Sequence, residues 1–249
     1  MDRYGIVGYG VVGKATHKSL LWNKDIVIHD KGDDFDSEVK DLTGCSTVFV
    51  CLPCDDTSGV NKLISEIQEV KKINQWCEFV IRSTVPMGTC ARIQELIGQS
   101  IYYMPEFLRD RFWESDCLQR PIIIGSDMQT VPNFLKNEDT IQCTLQDAEV
   151  LKMMSNAYAS LRITFANHFY DVSKSVEGDY NKIVDMLMHT QHNQTYLEAD
   201  EQMRGFGGKC LNKDLDFIID TFKGKGLNET LLSAIREDNN KWPTTIRES

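Results

Sequence analysis

No stretch of the 249-residue sequence approaches 18 consecutive apolar residues, which excludes a membrane-spanning helix. Basic charge is short: 27 Lys and Arg stand against 37 Asp and Glu, a formal net charge of −10. That balance repels phosphate backbones and argues against a nucleic-acid ligand. Low-complexity tracts, internal repeats and flexible linkers are missing too, and 41% hydrophobic residues exclude a disordered chain. The start, MDRYGIVGYG, shows no basic-then-apolar leader, so a cytoplasmic protein is expected. In a reducing compartment the eight cysteines read mostly as small core residues. No second pair or histidine cluster complements Cys51 and Cys54, so no metal is expected.

What is present is enough chain for one large or two modest domains. Apolar runs at Tyr4–Val7, Asp25–His29, Thr47–Leu52, Glu78–Ile81, Ile101–Met104 and Pro121–Ile124 alternate with helical patterns such as Val60–Val70 and Ala91–Ile97. The alternation predicts an α/β fold, a Rossmann-type doubly wound parallel sheet over residues 1–145. From Gln146 the strands stop, and residues 146–249 read as a helical domain built on a long central helix. Its stripe of Leu151, Met154, Tyr158, Leu161, Phe165, Phe169, Val172 and Val176 fits either a domain-spanning core helix or a dimer interface. A homodimer through that helix is the expectation. Shorter helical patterns follow at Asn181–Met188, Lys213–Phe222 and Glu229–Ile235.

Gly8-Tyr9-Gly10-Val11-Val12-Gly13 follows the first strand pattern and opens a helix, and Asp30 ends the next strand 20 residues beyond Gly10. Glycines let the backbone approach a pyrophosphate, helix amides stabilise its charge, and the carboxylate accepts from ribose hydroxyls. The candidate cofactor residues are thus Gly8, Gly10, Val11, Val12, Gly13 and Asp30. Asp30 favours NAD over NADP by repelling a 2′-phosphate, and Lys31 beside it keeps NADP open.

Four further blocks follow in order. They are Ser83-Thr84-Val85-Pro86-Met87-Gly88-Thr89, Pro105-Glu106-Phe107-Leu108-Arg109-Asp110, Glu149-Val150-Leu151-Lys152-Met153-Met154-Ser155-Asn156-Ala157, and Gly205-Phe206-Gly207-Gly208-Lys209-Cys210-Leu211-Asn212-Lys213-Asp214. Together they resemble the UDP-glucose/GDP-mannose dehydrogenase family, from residue 3 to about residue 222. The resemblance implies oxidation of a nucleotide sugar's primary alcohol to a carboxylate, with two NAD per turnover and a cysteine thioester. UDP-glucose to UDP-glucuronate is the first expectation.

Each residue can be weighed against that chemistry. Cys210 opens a helical pattern, where amide dipoles and Lys213 favour thiolate, and Asp214 stands one turn on. Without the other blocks, Cys210 reads more simply as an incidental buried thiol in a Gly-rich turn. Lys152 and Asn156, four apart on the long helix, can donate to an oxyanion; alone, they read as a snorkelling lysine and a polar neighbour. By resemblance Thr84, Glu106 and Asp110 line the nicotinamide and hold the hydrolytic water. Thr84 and Lys213 join the cofactor set, while Phe107, Leu108, Phe206 and Gly207 contact substrate beside Lys152 and Asn156.

Departures from the family pattern are also plain. Asp110 stands where Glu is usual, Lys209 where Ser is usual and Asn212 where Pro is usual. Only residues 31–44 separate Asp30 from Cys45, where the family has a longer connection, and the sequence stops at Ser249 before the family's nucleotide-gripping C-terminal domain. Two rival readings stay open: a single-step β-hydroxyacid-type dehydrogenase with no use for Cys210, and a degenerate NAD-binding or partner-binding subunit.

Overall fold

The computed structural model describes residues 2–32, 37–119, 121–128, 131–189, 204–207 and 210–242. Two compact units emerge, Met1–Lys152 and Met153–Ser249. The first is built on a seven-stranded sheet: β1 (Arg3–Val7), β2 (Asp25–His29), β3 (Thr47–Val50), β4 (Glu78–Ile81), β5 (Tyr102–Tyr103), β6 (Ile123–Gly125) and β7 (Ile141–Cys143). Helices α1 (Val11–Leu20), α2 (Thr57–Ile73), α3 (Thr89–Ile97) and α4 (Trp113–Gln119) connect them.

The strand order is β2-β1-β3-β4-β5-β6-β7, and every neighbouring pair is parallel except β5 with β6. Central parallel strands bury both faces, hence their unbroken apolar runs. Along β4 the pleat sends Phe79 and Ile81 to one core cluster and Val80 to the other. Each such side chain contributes about 1.5–3 kcal/mol by leaving water. Opposite that face, α2 buries Val60, Leu63, Ile64, Ile67 and Val70 at helical spacing, and the Asp56 carboxylate accepts from the Gly59 amide at 2.8 Å to start it.

The chain leaves β1 toward β2 and returns on β1's other side as β3. That reversal opens a crevice at the carboxyl ends of β1 and β3, where open α/β sheets receive ligands. Beyond β2 there is no further strand among the described residues. The short connection after Asp30 passes through a 3-10 turn, Val39–Gly44, straight to β3.

Helix α5 (Leu145–Ser175) leads into the second unit, followed by α6 (Tyr180–Met188), α7 (Cys210–Gly224) and α8 (Thr230–Asn239). Here the structure departs from the core-helix expectation. Met154, Tyr158, Phe165, Phe169 and Val176 are all exposed, and Leu151 and Leu161 are half-buried; the Val172 side chain lies outside the described residues. The buried face is instead Met153, Ala157, Ser160, Thr164 and Asn167. Apart from Met153 these residues are small or polar; Thr164 Oγ1 is buried without a partner among the described residues, while the helix satisfies Ser160 and Asn167. Ser160 Oγ donates to Asn156 O at 2.9 Å, and Asn167 Nδ2 to Ile163 O at 2.8 Å. Among the described residues no helix is long and apolar enough to cross a membrane.

Candidate active site

The glycine loop sits at the crevice between β1 and β3. Gly8 has φ +91°, and a Cβ there would come within 2.7 Å of Cys51 O. At Gly13 a Cβ would meet Gly8 O at 2.2 Å, so only glycine lets α1 pack this close to β1. Gly10, at the N-cap of α1, has nothing within 4 Å of its missing Cβ, which leaves open space over the first-turn amides of Val11 and Val12. Asp30 is tied to this loop: its carboxylate accepts from the Tyr9 amide at 2.6 Å and the Gly32 amide at 2.8 Å. The Tyr9 hydrogen bond, ahead of the opposing effect of burial, holds its pKa below the ordinary value, so it stays an ionised acceptor. An open amide cradle with an oriented carboxylate fits a dinucleotide.

At the carboxyl end of β4, the Arg82 and Ser83 amides both donate to Val50 O, and Thr84 follows half-buried. Gly88, at φ +89°, caps α3, whose N-terminus is held by a buried carboxylate on α5. Glu149 accepts from the Gly88 amide at 2.7 Å and the Cys90 amide at 2.8 Å.

Lys152 does not snorkel. It is buried, and its Nζ donates to Glu106 O at 2.7 Å and Glu106 Oε1 at 3.2 Å while lying 5.5 Å from the Phe107 ring centre. The Leu108 amide donates to the other Glu106 oxygen at 2.6 Å. Burial pushes the Glu106 pKa up, but Lys152, the Leu108 amide and the nearby Arg82 charge outweigh it, and the carboxyl sits below its ordinary value. Asp110 takes no part in this pair. It opens an exposed 3-10 turn, Asp110–Phe112, and makes no side-chain hydrogen bond or ion pair among the described residues. Glu106 is therefore tuned by a lysine 46 residues away rather than by the carboxylate four residues on.

In the second unit, Cys210 is the exposed first residue of α7. One turn on, Asp214 is buried; Asn156 Nδ2 donates to its Oδ2, and Lys213 Nζ lies 3.2 Å from its Oδ1. Phe206 is only 2% exposed, so its side chain packs rather than reaching outward. Its backbone is clamped by Asn239, which accepts from the Phe206 amide at 2.7 Å and donates to its carbonyl at 2.8 Å. Gly207 is half-buried, as are Phe107 and Leu108 in the first unit. Gly208 and Lys209 lie outside the described residues.

The other thiols differ in kind from Cys210. Burial pushes Cys45, Cys51 and Cys77 up to about 11, and Cys54 and Cys90 are buried as well. Among the described residues no group of three or more His, Cys, Asp or Glu is placed to hold a metal. Sequence reasoning missed the Asn239 clamp and assigned no role to Arg82 or to Glu149 as a cap. Arg82 alone left a signal, a lone charge directly following an apolar strand.

The family model described as the UDP-glucose/GDP-mannose dehydrogenase family, central domain, matches residues 146–241. The chain is 26% identical over 185 residues to UDP-glucose 6-dehydrogenase TuaD of Bacillus subtilis, covering 68% of this chain and 40% of that one. It is 27% identical over 233 residues to a UDP-glucose 6-dehydrogenase of Campylobacter jejuni, covering 89% and 54%. The chain thus spans about half the length of these relatives. Its fold resembles a UDP-glucose dehydrogenase structure from the archaeon Pyrobaculum islandicum, with a TM-score of 0.85 at 20% identity, over 97% of this chain and 68% of that one.

Proposed function

From the family whose central domain its residues 146–241 carry, the UDP-glucose/GDP-mannose dehydrogenases, we propose that this chain is an oxidoreductase that converts a nucleotide sugar's primary alcohol to a carboxylate. UDP-glucose is the first candidate substrate. Residues 1–145 serve as the cofactor-binding part and 146–249 as the part carrying the nucleophile. The observation that carries this reading is the buried Lys152, whose ammonium is oriented by Glu106. An oriented donor of this kind suits an oxygen that gains negative charge.

The chemistry assigned to each residue follows. Gly8, Gly10, Val11, Val12, Gly13 and Asp30 would hold NAD, with Thr84 and Lys213 completing its site. Bound NAD supplies the hydride acceptor for each of two oxidations. Lys152 and Asn156 donate to the alkoxide as the alcohol becomes an aldehyde. The Cys210 thiolate then adds to the aldehyde carbon, giving a thiohemiacetal, and loss of a second hydride leaves a thioester. Water held by Glu106, Thr84 and Asp110 gives one proton to the Glu106 carboxylate and attacks that carbon; the C–S bond breaks and the Cys210 thiolate and carboxylic acid are released. Phe107, Leu108, Phe206 and Gly207 border the sugar in this scheme, Phe206 through its backbone. A reducing cytoplasm suits the exposed thiol.

Oligomerisation belongs to the same proposal. The outward stripe of Met154, Tyr158, Phe165 and Phe169 is the face through which two copies would pair.

The test is NADH stoichiometry across a panel of UDP- and GDP-sugars, with Cys210→Ser as control. Two NADH per sugar are expected, with no acid product from the variant. One NADH per substrate with Cys210→Ser unimpaired would select the single-step hydroxyacid reading, and NAD binding without any reduction would select the non-catalytic one.

A further inference from the structure

Arg82 turns its guanidinium into the first unit, where the residue is 7% exposed. Among the described residues no protein acceptor takes a hydrogen bond from that guanidinium, and its Nε is fully shielded and unpartnered. Burial works against its charge. A buried guanidinium without a hydrogen-bonded acceptor is costly inside a protein, and the cost falls where an anion that can accept from it is admitted.

The side chain lines a cavity of about 210 Å³ confined to the first unit. Two carboxylates share the wall, but each already has its cation. Glu106 is held by Lys152, and Asp116 by Arg109 through Nη2–Oδ1 and Nε–Oδ2 contacts of 2.7 and 3.0 Å. Arg82 and Lys136, also in the wall, make no ion pair among the described residues, and Glu106 acts on Arg82 only through its charge, without a hydrogen bond. Much of the remaining lining is apolar, with Leu20, Met104, Ile122 and Phe134. The volume is below that of drug-sized pockets, about 300–1,000 Å³, so only a small ligand fits. A guanidinium offers Nε–H and Nη–H as a planar fork that matches the two oxygens of a carboxylate.

We propose that this cavity binds a small organic carboxylate, its carboxylate on Arg82 and its short apolar body against Met104 and Phe134. The wall shares Glu106, Phe107 and Leu108 with the site of the proposed oxidation, so the proposal is tested by binding to the chain without cofactor or sugar and not by turnover.

Benzoate is the probe, titrated into the full chain by calorimetry and thermal melting, with butanoate and inorganic phosphate alongside. Saturable binding of one benzoate per chain is expected, with a melting rise of about 3–6 °C at ten times the dissociation constant. Arg82→Met should weaken benzoate binding at least about tenfold, the loss of one charge-assisted contact, and without ligand should melt no lower than the parent. If that variant fails to fold, the Arg82 Nε–H resonance of the parent must shift on benzoate addition. Benzoate binding indifferent to Arg82→Met, an unmoved Nε–H resonance, phosphate binding where benzoate does not, or no binding by any probe would each overturn the proposal.

Discussion

Lys152 keeps 4% of its side chain exposed and Glu106 keeps 11%, so neither charge can turn to water when the other is removed. Lys152→Met should therefore cost about 3 kcal/mol of unfolding free energy in urea titrations, and the double variant Lys152→Met/Glu106→Gln less than the sum of the two singles. The pair also sets an acid dependence. Glu106 is held below its ordinary pKa, so its stabilisation is full above the unfolded value and fades as pH falls through the folded one. Glu106→Gln should accordingly flatten the acid limb of stability measured from about pH 6 to about pH 3. In sequence, Lys152 reads most simply as a snorkelling side chain. Its burial depends on a carboxylate 46 positions away, a contact that no local pattern encodes. The sequence singles out Glu106 beside Asp110, but the 3-10 turn leaves Asp110 exposed and Lys152 is the charge that meets Glu106.

At the scale of elements, the glycine loop separates folding from binding. A Cβ at Gly13 collides with Gly8 O, whereas one at Gly10 meets only open space. Gly13→Ala should lower the melting temperature by several degrees, since either α1 or β1 must shift. Gly10→Ala should leave melting unchanged yet weaken NAD about tenfold or more by calorimetry, because the methyl group occupies the cofactor's approach. Equal loss of stability in both would refute the distinction. Strands β1, β3 and β4 were legible because double-sided burial writes continuous apolar runs, as in Thr47–Val50. By contrast β7 escaped notice: Ile141 and Gln142 are exposed and Cys143 half-buried, so burial leaves no mark on its composition. For α5 the misleading signal was size. Large apolar residues recur at helical spacing on the outward face, while the inward face, Met153 and Tyr170 apart, is written mainly in Ala, Ser, Thr and Asn, which periodicity does not count as core.

For the molecule as a whole, that outward face sets the prediction for assembly. If Tyr158 and Phe165 meet a second copy, sedimentation should give a dimer, and Tyr158→Glu/Phe165→Glu should give a folded monomer with an unchanged circular dichroism spectrum. A parent that sediments as a monomer would remove the interface. The acidic net charge of −10 matters at this scale too, since anionic ligands must be drawn by local cations against the field of the whole chain. One further consequence comes from the strand order. In the common six-stranded dinucleotide fold another strand lies beyond the second, whereas here β2 is outermost among the described residues and Asp30 stands at the rim of the sheet. The adenine end of a bound cofactor would then overhang solvent rather than a protein wall. NAD linked to agarose through its adenine ring should still load onto this chain, so a matrix of that kind would both purify the protein and leave its nicotinamide end free to react.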